Sequence, residues 1–193
     1  MPKAKISREM IIDAAFETAK LCGADNVNAR IVAERLGCST QPVMYHFAKI
    51  EELKRAVYEK ADRYHTEYLM NVSEPQNGVM LGIGLNYIRF AIREPNLFRF
   101  LFQSGFAVEN SLLEMINSEE LKPVLDIMQN EMKMNARQTK EVFLIIAMFA
   151  HGYASIIANN SLEYDEKLIA EHLTLTYSGA VLAVKENKND KAL

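Results

Sequence analysis

Gly37 separates two short stretches of helical pattern, and this arrangement constrains the chain more than any other feature of its sequence. From Asn28 to Leu53 the residues read NARIVAERLGCSTQPVMYHFAKIEEL. Asn28 suits the N-cap of a helix from Ala29 to Leu36, which Gly37 closes by accepting a left-handed backbone. Ser39 opens a further helix with Pro42 in its first turn, where a missing N–H leaves no bond unmade. Two short helices flanking a tight turn cross steeply, and a second helix held in this way fits a major groove roughly 12 Å wide. Ile31, Val32 and Leu36 are expected to face inward and to meet Val43 and Phe47. Thr40, Gln41, Tyr45 and His46 then remain outside, and hydrogen-bonding side chains on an exposed face suit phosphates and base edges.

The flanking sequence is also helical in period. Ile11, Ala14, Ala15, Thr18, Ala19 and Cys22 recur at helical spacing between a Ser7 N-cap and a stop at Gly23. A longer helix is expected from near Ile50 to Met70, with Leu53, Ala56, Val57, Ala61 and Tyr64 on one face. Ser73 to Gly78 (SEPQNG) reads as a linker. Further helices are predicted over Val79 to Arg93, Pro95 to Phe102, Ser118 to Met132, Ala136 to Asn160 and Asp165 to Val184. Nowhere does apolar and polar alternation persist as a strand needs, so the expected fold is all-α with about nine helices. Residues 1–50 form a small head and residues 51–193 a larger helical body, with a frayed tail from Lys185.

Composition narrows the function classes. Apolar residues at 49% and charged residues at 24% are the mixture of a globular protein. The sequence MPKAKISREM lacks the apolar stretch of a secretory signal, so a cytoplasmic location is expected. Cys22 and Cys38 form no CxxC pair and read as small buried hydrophobes. Val142 to Ala158 (VFLIIAMFAHGYASIIA) is the most apolar run. It is short for a membrane span and carries His151, Gly152, Tyr153 and Ser155, which predicts a helix buried on nearly all sides and no membrane partner. Residues 1–50 hold seven Lys/Arg, among them Lys3, Lys5, Arg30 and Lys49, against five acids. The remainder holds fifteen basic and twenty acidic residues, so a mildly basic head precedes an acidic body. No Glu-x-x-His pair, HExxH, GxSxG or GxxxxGK[ST] is present, and neither catalysis, a metal site nor a cofactor is expected.

In its first third the sequence resembles the TetR family of transcriptional regulators. In that family a first helix ending in Gly precedes a helix-turn-helix of the form [IV]-A-x-x-L-G-V-S-x-x-x-[IL]-Y-x-[HY]-F-x-x-K-E-E-L. The matching residues are Gly23, Val32-Ala33, Leu36-Gly37, Ser39, Val43, His46-Phe47 and Glu51-Glu52-Leu53. The segment Ala150-His151-Gly152-Tyr153-Ala154 is similar to one in the penultimate helix of some members. Met44 stands where the family usually has a Tyr, and Ile50 where it usually has a Lys; Tyr45 and Lys49 are neighbours able to supply the same hydroxyl and charge. The resemblance implies a homodimeric regulator, a repressor released from an inverted-repeat DNA operator by a small molecule. The candidate DNA contacts are Asn28, Arg30, Thr40, Gln41, Pro42, Tyr45, His46 and Lys49. Lys3 and Lys5 read either as a disordered tail or as a basic arm of the kind that reaches a minor groove. The alternative is a helical ligand-binding protein in which Met44 and Ile50 mark weakened or lost DNA recognition.

The body is expected to dimerise through the helix Ala136 to Asn160 and the last helix. Phe98, Phe102, Met128, Phe143 and Tyr153 are the candidate lining of a cavity for a small apolar effector, with Phe106, Met115, Met132 and Met148 as further apolar candidates. Core packing at helical spacing is the alternative for each, and His151 reads as a hydrogen-bonded core histidine.

Overall fold

A computed structural model describes residues 6–73, 78–106, 114, 116–119, 121–160 and 162–186. These residues form nine α-helices and no strand. The helices are α1 (Arg8–Cys22), α2 (Ala29–Arg35), α3 (Thr40–His46), α4 (Ile50–Met70), α5 (Val79–Arg93), α6 (Pro95–Gln103), α7 (Lys122–Met132), α8 (Ala136–Asn160) and α9 (Glu166–Glu186). They divide into two compact units, Met1–Thr66 with Glu94–Val108, and Glu67–Arg93 with Glu109–Leu193. The first unit extends past the boundary drawn at residue 50, because Leu53, Val57 and Ala61 of α4 are fully buried and α6 packs on α1.

In the first unit, Ser7 accepts from the Met10 N–H at 3.2 Å and starts α1 as its cap. The buried stripe of α1 is mostly small (Ile11, Ala14, Ala15, Thr18, Ala19), which lets α2, α3 and α6 pack closely against it. Lys20 Nζ lies 2.7 Å from Glu94 Oε1, the Tyr64 hydroxyl donates to the same oxygen at 3.0 Å, and Asn96 donates to the Lys20 carbonyl at 3.0 Å. These bonds tie α1, α4 and the start of α6 together around a partly buried charge. Leu97, Phe98, Phe100 and Leu101 complete the core, each such side chain contributing about 1.5–3 kcal/mol through burial.

The second unit packs α8 against α5, α7 and α9, and α5 also against α9. Val124, Met128, Met132, Met134, Val142, Ala180 and Val184 form a buried cluster, with Phe143, Ile146 and Tyr177 packed against it. Asn135 and Gln138 make a reciprocal capping box at the start of α8: Gln138 N–H donates to Asn135 Oδ1 at 2.9 Å and Asn135 N–H to Gln138 Oε1 at 3.2 Å. The buried Asn86 amide donates to the carbonyls of Tyr68, Leu69 and Asn71 at 3.3, 3.2 and 3.1 Å, satisfying acceptors that the end of α4 would leave unpaired.

Three expectations need correction. α7 starts at Lys122, with Pro123 in its first turn, where a helix from Ser118 was expected; residues 117–119 are turn and bend. Cys22 is exposed and Cys38 half-buried, since Cys22 ends α1 just as the chain turns away and Cys38 sits in the turn after α2. α8 is not buried on nearly all sides: 22% of its most apolar stretch is covered, and Ile145, Met148 and Ile156 face outward. Its neighbours lie along one side. Among the described residues it is the one helix long and apolar enough to cross a membrane by length and composition.

Candidate nucleic-acid interface

The turn between α2 and α3 is built by local hydrogen bonds. Asn28 Oδ1 accepts from the Ile31 N–H at 3.0 Å and opens α2. At the other end the Gly37 N–H donates to Glu34 O and the Cys38 N–H to Ala33 O, both at 3.0 Å, around Gly37 at φ +63°. This is a Schellman closure, and a side chain at Gly37 would be strained by the left-handed backbone. Val32 in α2, Val43 in α3 and Phe47 after it are buried, as the apolar pattern predicts, while Ile31 and Leu36 are half-buried. The Arg8 guanidinium stacks 4.8 Å above the Phe47 ring. α3 is therefore held from beneath and behind.

Its outer side carries Thr40, Gln41 and Tyr45, all exposed, with Tyr45 at 82%. Arg30 and Lys49 are also exposed, and Pro42 is half-buried in the first turn of α3. Among the described residues, Arg30, Thr40, Gln41 and Lys49 make no side-chain hydrogen bond, which leaves their donors and acceptors for a partner. Asn28 and His46 differ. The Asn28 amide is engaged at both ends, Nδ2 donating to Asn26 O at 3.3 Å. His46 is half-buried with Nε2 3.2 Å from the Ile6 carbonyl and its ring edge-on to Tyr45. Lys3 and Lys5 lie outside the described residues, just ahead of the Ile6 that meets His46. Met44, 50% exposed, is an outward apolar side chain beside Tyr45 that the hydrogen-bonding pattern alone did not select.

No protein-family model matches the sequence, and no curated protein matches it. Solved structures do. A member of the TetR family, SCO1917 from Streptomyces coelicolor A3, superposes with a TM-score of 0.63 at 19% identity, over 88% of this chain and 96% of that one. The fold is that of the TetR family. A second structure, the multidrug binding protein EbrR complexed with imidazole, matches with a TM-score of 0.59 at 16% identity, over 88% of this chain and 93% of that one.

Of the five candidate cavity residues in this TetR fold, Phe98 and Phe102 belong to the first unit and Met128, Phe143 and Tyr153 to the second. Phe98 is fully buried in the first unit against Phe102, which is itself exposed and edge-on to His65. Met128 lies inside the α7–α8–α9 core with Phe143 packed on its margin. Tyr153 in α8 bonds His172 Nδ1 in α9 at 2.5 Å, and two residues earlier His151 Nδ1 meets the Tyr87 hydroxyl at 2.9 Å. Burial pushes the Tyr87 hydroxyl up and His151 down. Of the further candidates, Met132 is buried, Phe106 half-buried and Met148 exposed; Met115 lies outside the described residues. A cleft of the second unit lies elsewhere, lined by Tyr68, Leu85, Asn86, Arg89, Arg93 and Lys167 among others. Nothing in the spacing of these residues marks them as neighbours. Among the described residues no group of three His, Cys, Asp or Glu side chains is placed to hold a metal.

Proposed function

We propose that this protein is a DNA-binding transcriptional regulator that acts as a cytoplasmic homodimeric repressor and is released from its operator by a small molecule. One observation carries the reading: a short helix, α3, is pinned by buried Val43 and Phe47 and presents Thr40, Gln41 and Tyr45 to solvent, uncommitted and polar. A rigid helix with such a face supplies base-edge contacts, and flanking cations supply phosphate contacts. Gln41 and Tyr45 contribute sequence choice; Arg30 and Lys49 hold phosphates. Thr40 and Pro42 border the backbone at the helix start. Asn28 and His46 act from behind, by capping α2 and by anchoring Ile6.

Dimerisation rests on the uncovered apolar sides of α8 and α9. Leu168, Leu175 and Leu182 recur every seven residues along α9, and Ile145, Met148 and Ile156 share one side of α8 with Gly152. Stripes of this kind bury themselves against a second copy, and two-fold symmetry matches an inverted repeat. Release is proposed to run through α4, one unbroken helix from Ile50, directly after α3, to Met70. A ligand that favours a different position of that helix weakens the grip of two heads that must meet successive grooves together. The structural relative EbrR is described as a multidrug binding protein, which supports a sensing body.

A mobility-shift titration of the full chain on the DNA flanking its own gene tests the reading. A discrete complex, competed by that DNA and not by unrelated duplex, is expected. Binding no better than to unrelated duplex would favour the helical ligand-binding alternative, for which the exposed Met44 and the apolar Ile50 are the motivation.

A further inference from the structure

The end of α4, the inner side of α5 and the first turn of α9 enclose an open cleft of about 980 Å³ within the second unit. Val72, Leu81 and Leu85 give it an apolar wall. Among the described residues its charges are unequal: Arg89, Arg93 and Lys167 against the carboxylate of Glu166. Glu166 is fully engaged with Arg89, at 3.0 Å to Nε and 2.6 Å to Nη2, and also accepts from the Tyr164 hydroxyl at 2.9 Å. Arg93 and Lys167 have no ion pair with any described residue. Neither is placed where its own helix most favours it. Arg93 lies one turn from Arg89, a like-charge spacing that disfavours both, and Lys167 lies in the first turn of α9, where the helix dipole opposes a cation.

We propose that this cleft binds a monocarboxylate with an apolar body, its carboxylate held by the Arg93 guanidinium and the Lys167 ammonium and its body against Leu81, Leu85 and Val72. A planar guanidinium fork fits a carboxylate, and the volume accommodates a small amphiphile. The floor is ordered in advance: Arg89 Nη1 donates to Asn86 Oδ1 at 3.1 Å, and Asn86 holds the carbonyls that end α4. The bound molecule would therefore lie in a cleft whose lining includes Asn86, the residue that holds the end of α4. It is the effector only if the sensing reading above holds, but its binding does not rest on that reading.

Titration calorimetry of the full chain with octanoate, octan-1-ol and acetate separates the contributions. Octanoate is expected to bind about tenfold or more tightly than either of the others, one lacking the charge and one the apolar body. The double variant Arg93→Gln, Lys167→Gln changes two exposed side chains and is expected to lose about tenfold in octanoate affinity while octanol is unaffected. Absent octanoate binding, equal binding of octanol, equal binding of acetate, or an unchanged double variant each overturns the proposal. Octanoate binding that follows these rules yet leaves DNA affinity untouched supports the cleft and overturns its role in sensing.

Discussion

A β-carbon on Gly82 would stand 2.3 Å from Cγ1 of Val72, 3.1 Å from its Cγ2 and 3.3 Å from its Cβ. Rotating the valine can turn its closest methyl away but leaves its Cβ 3.3 Å off, so the segment after α4 lies close along α5 where residue 82 has no side chain. Gly82→Ala is expected to lose about 1–3 kcal/mol by overpacking, despite the gain of about 1 kcal/mol that alanine brings to a helix interior. In a Val72→Ala background the same change should become neutral or stabilising. Urea unfolding of the four proteins decides it, and an equal loss in both backgrounds would place the cause outside this contact.

The stripes on α8 and α9 lead to a second expectation. Leu175, 68% exposed, and Ile156, 52% exposed, stand on those stripes, and exchanging both for Glu places charge where a partner helix would lie. Sedimentation at micromolar concentration should show the unaltered chain as a dimer and the double variant as a folded monomer. A monomeric unaltered chain would refute the homodimer, and with it two-fold reading of half-sites about one helical turn apart.

For Lys49, exposed between α3 and α4, the expected role is a phosphate contact. Lys49→Ala should weaken binding to every duplex and lower the salt slope of log K by about one unit, since one fewer counterion is released. Gln41→Ala should instead cost about 1–3 kcal/mol on the operator and little on unrelated DNA. Reversal of these two patterns would exchange their roles.

His65 makes stability depend on pH. It is buried edge-on to Phe102, and burial pulls its imidazole down to about 4 from the usual 6.5. Between these values the unfolded chain binds a proton that the folded chain refuses. Stability is therefore intact above pH 6.5 and falls as pH drops toward 4, by up to about 3 kcal/mol, because each tenfold difference in proton affinity between the two states is worth about 1.4 kcal/mol. His151, also held low by burial, acts in the same direction. Urea unfolding at pH 7.5 and 4.5 should show the loss, and His65→Leu should reduce it. A variant with the same difference between the two pH values would exclude His65 as its source.

The first half of the chain was more legible than the second because its signals are local. Ser7 caps α1 three residues away, Asn28 caps α2 three residues away, and the N–H groups of Gly37 and Cys38 close α2 onto carbonyls three and five residues back. Such bonds depend only on spacing along the chain. Pro95 at the start of α6 and the Asn135–Gln138 box at the start of α8 are of the same kind.

What the amino-acid sequence by itself determined was the all-helical fold, most of the helix limits and the outward face of α3, because caps, glycine backbones and apolar period act within a few residues. Only the tertiary structure decided how the apolar residues were used. Met128, Phe143 and Tyr153 all stand in apolar stretches of helical pattern, yet one lies in the core, one at its margin and one on a histidine, since burial depends on which helices arrive alongside. Arg89 and Glu166 are 77 residues apart and Asn86 caps a helix 15 to 18 residues before it. Cys22 and the outer side of α8 look buried in sequence and are open in the folded chain, because hydrophobicity records a tendency to be covered and only packing supplies a cover.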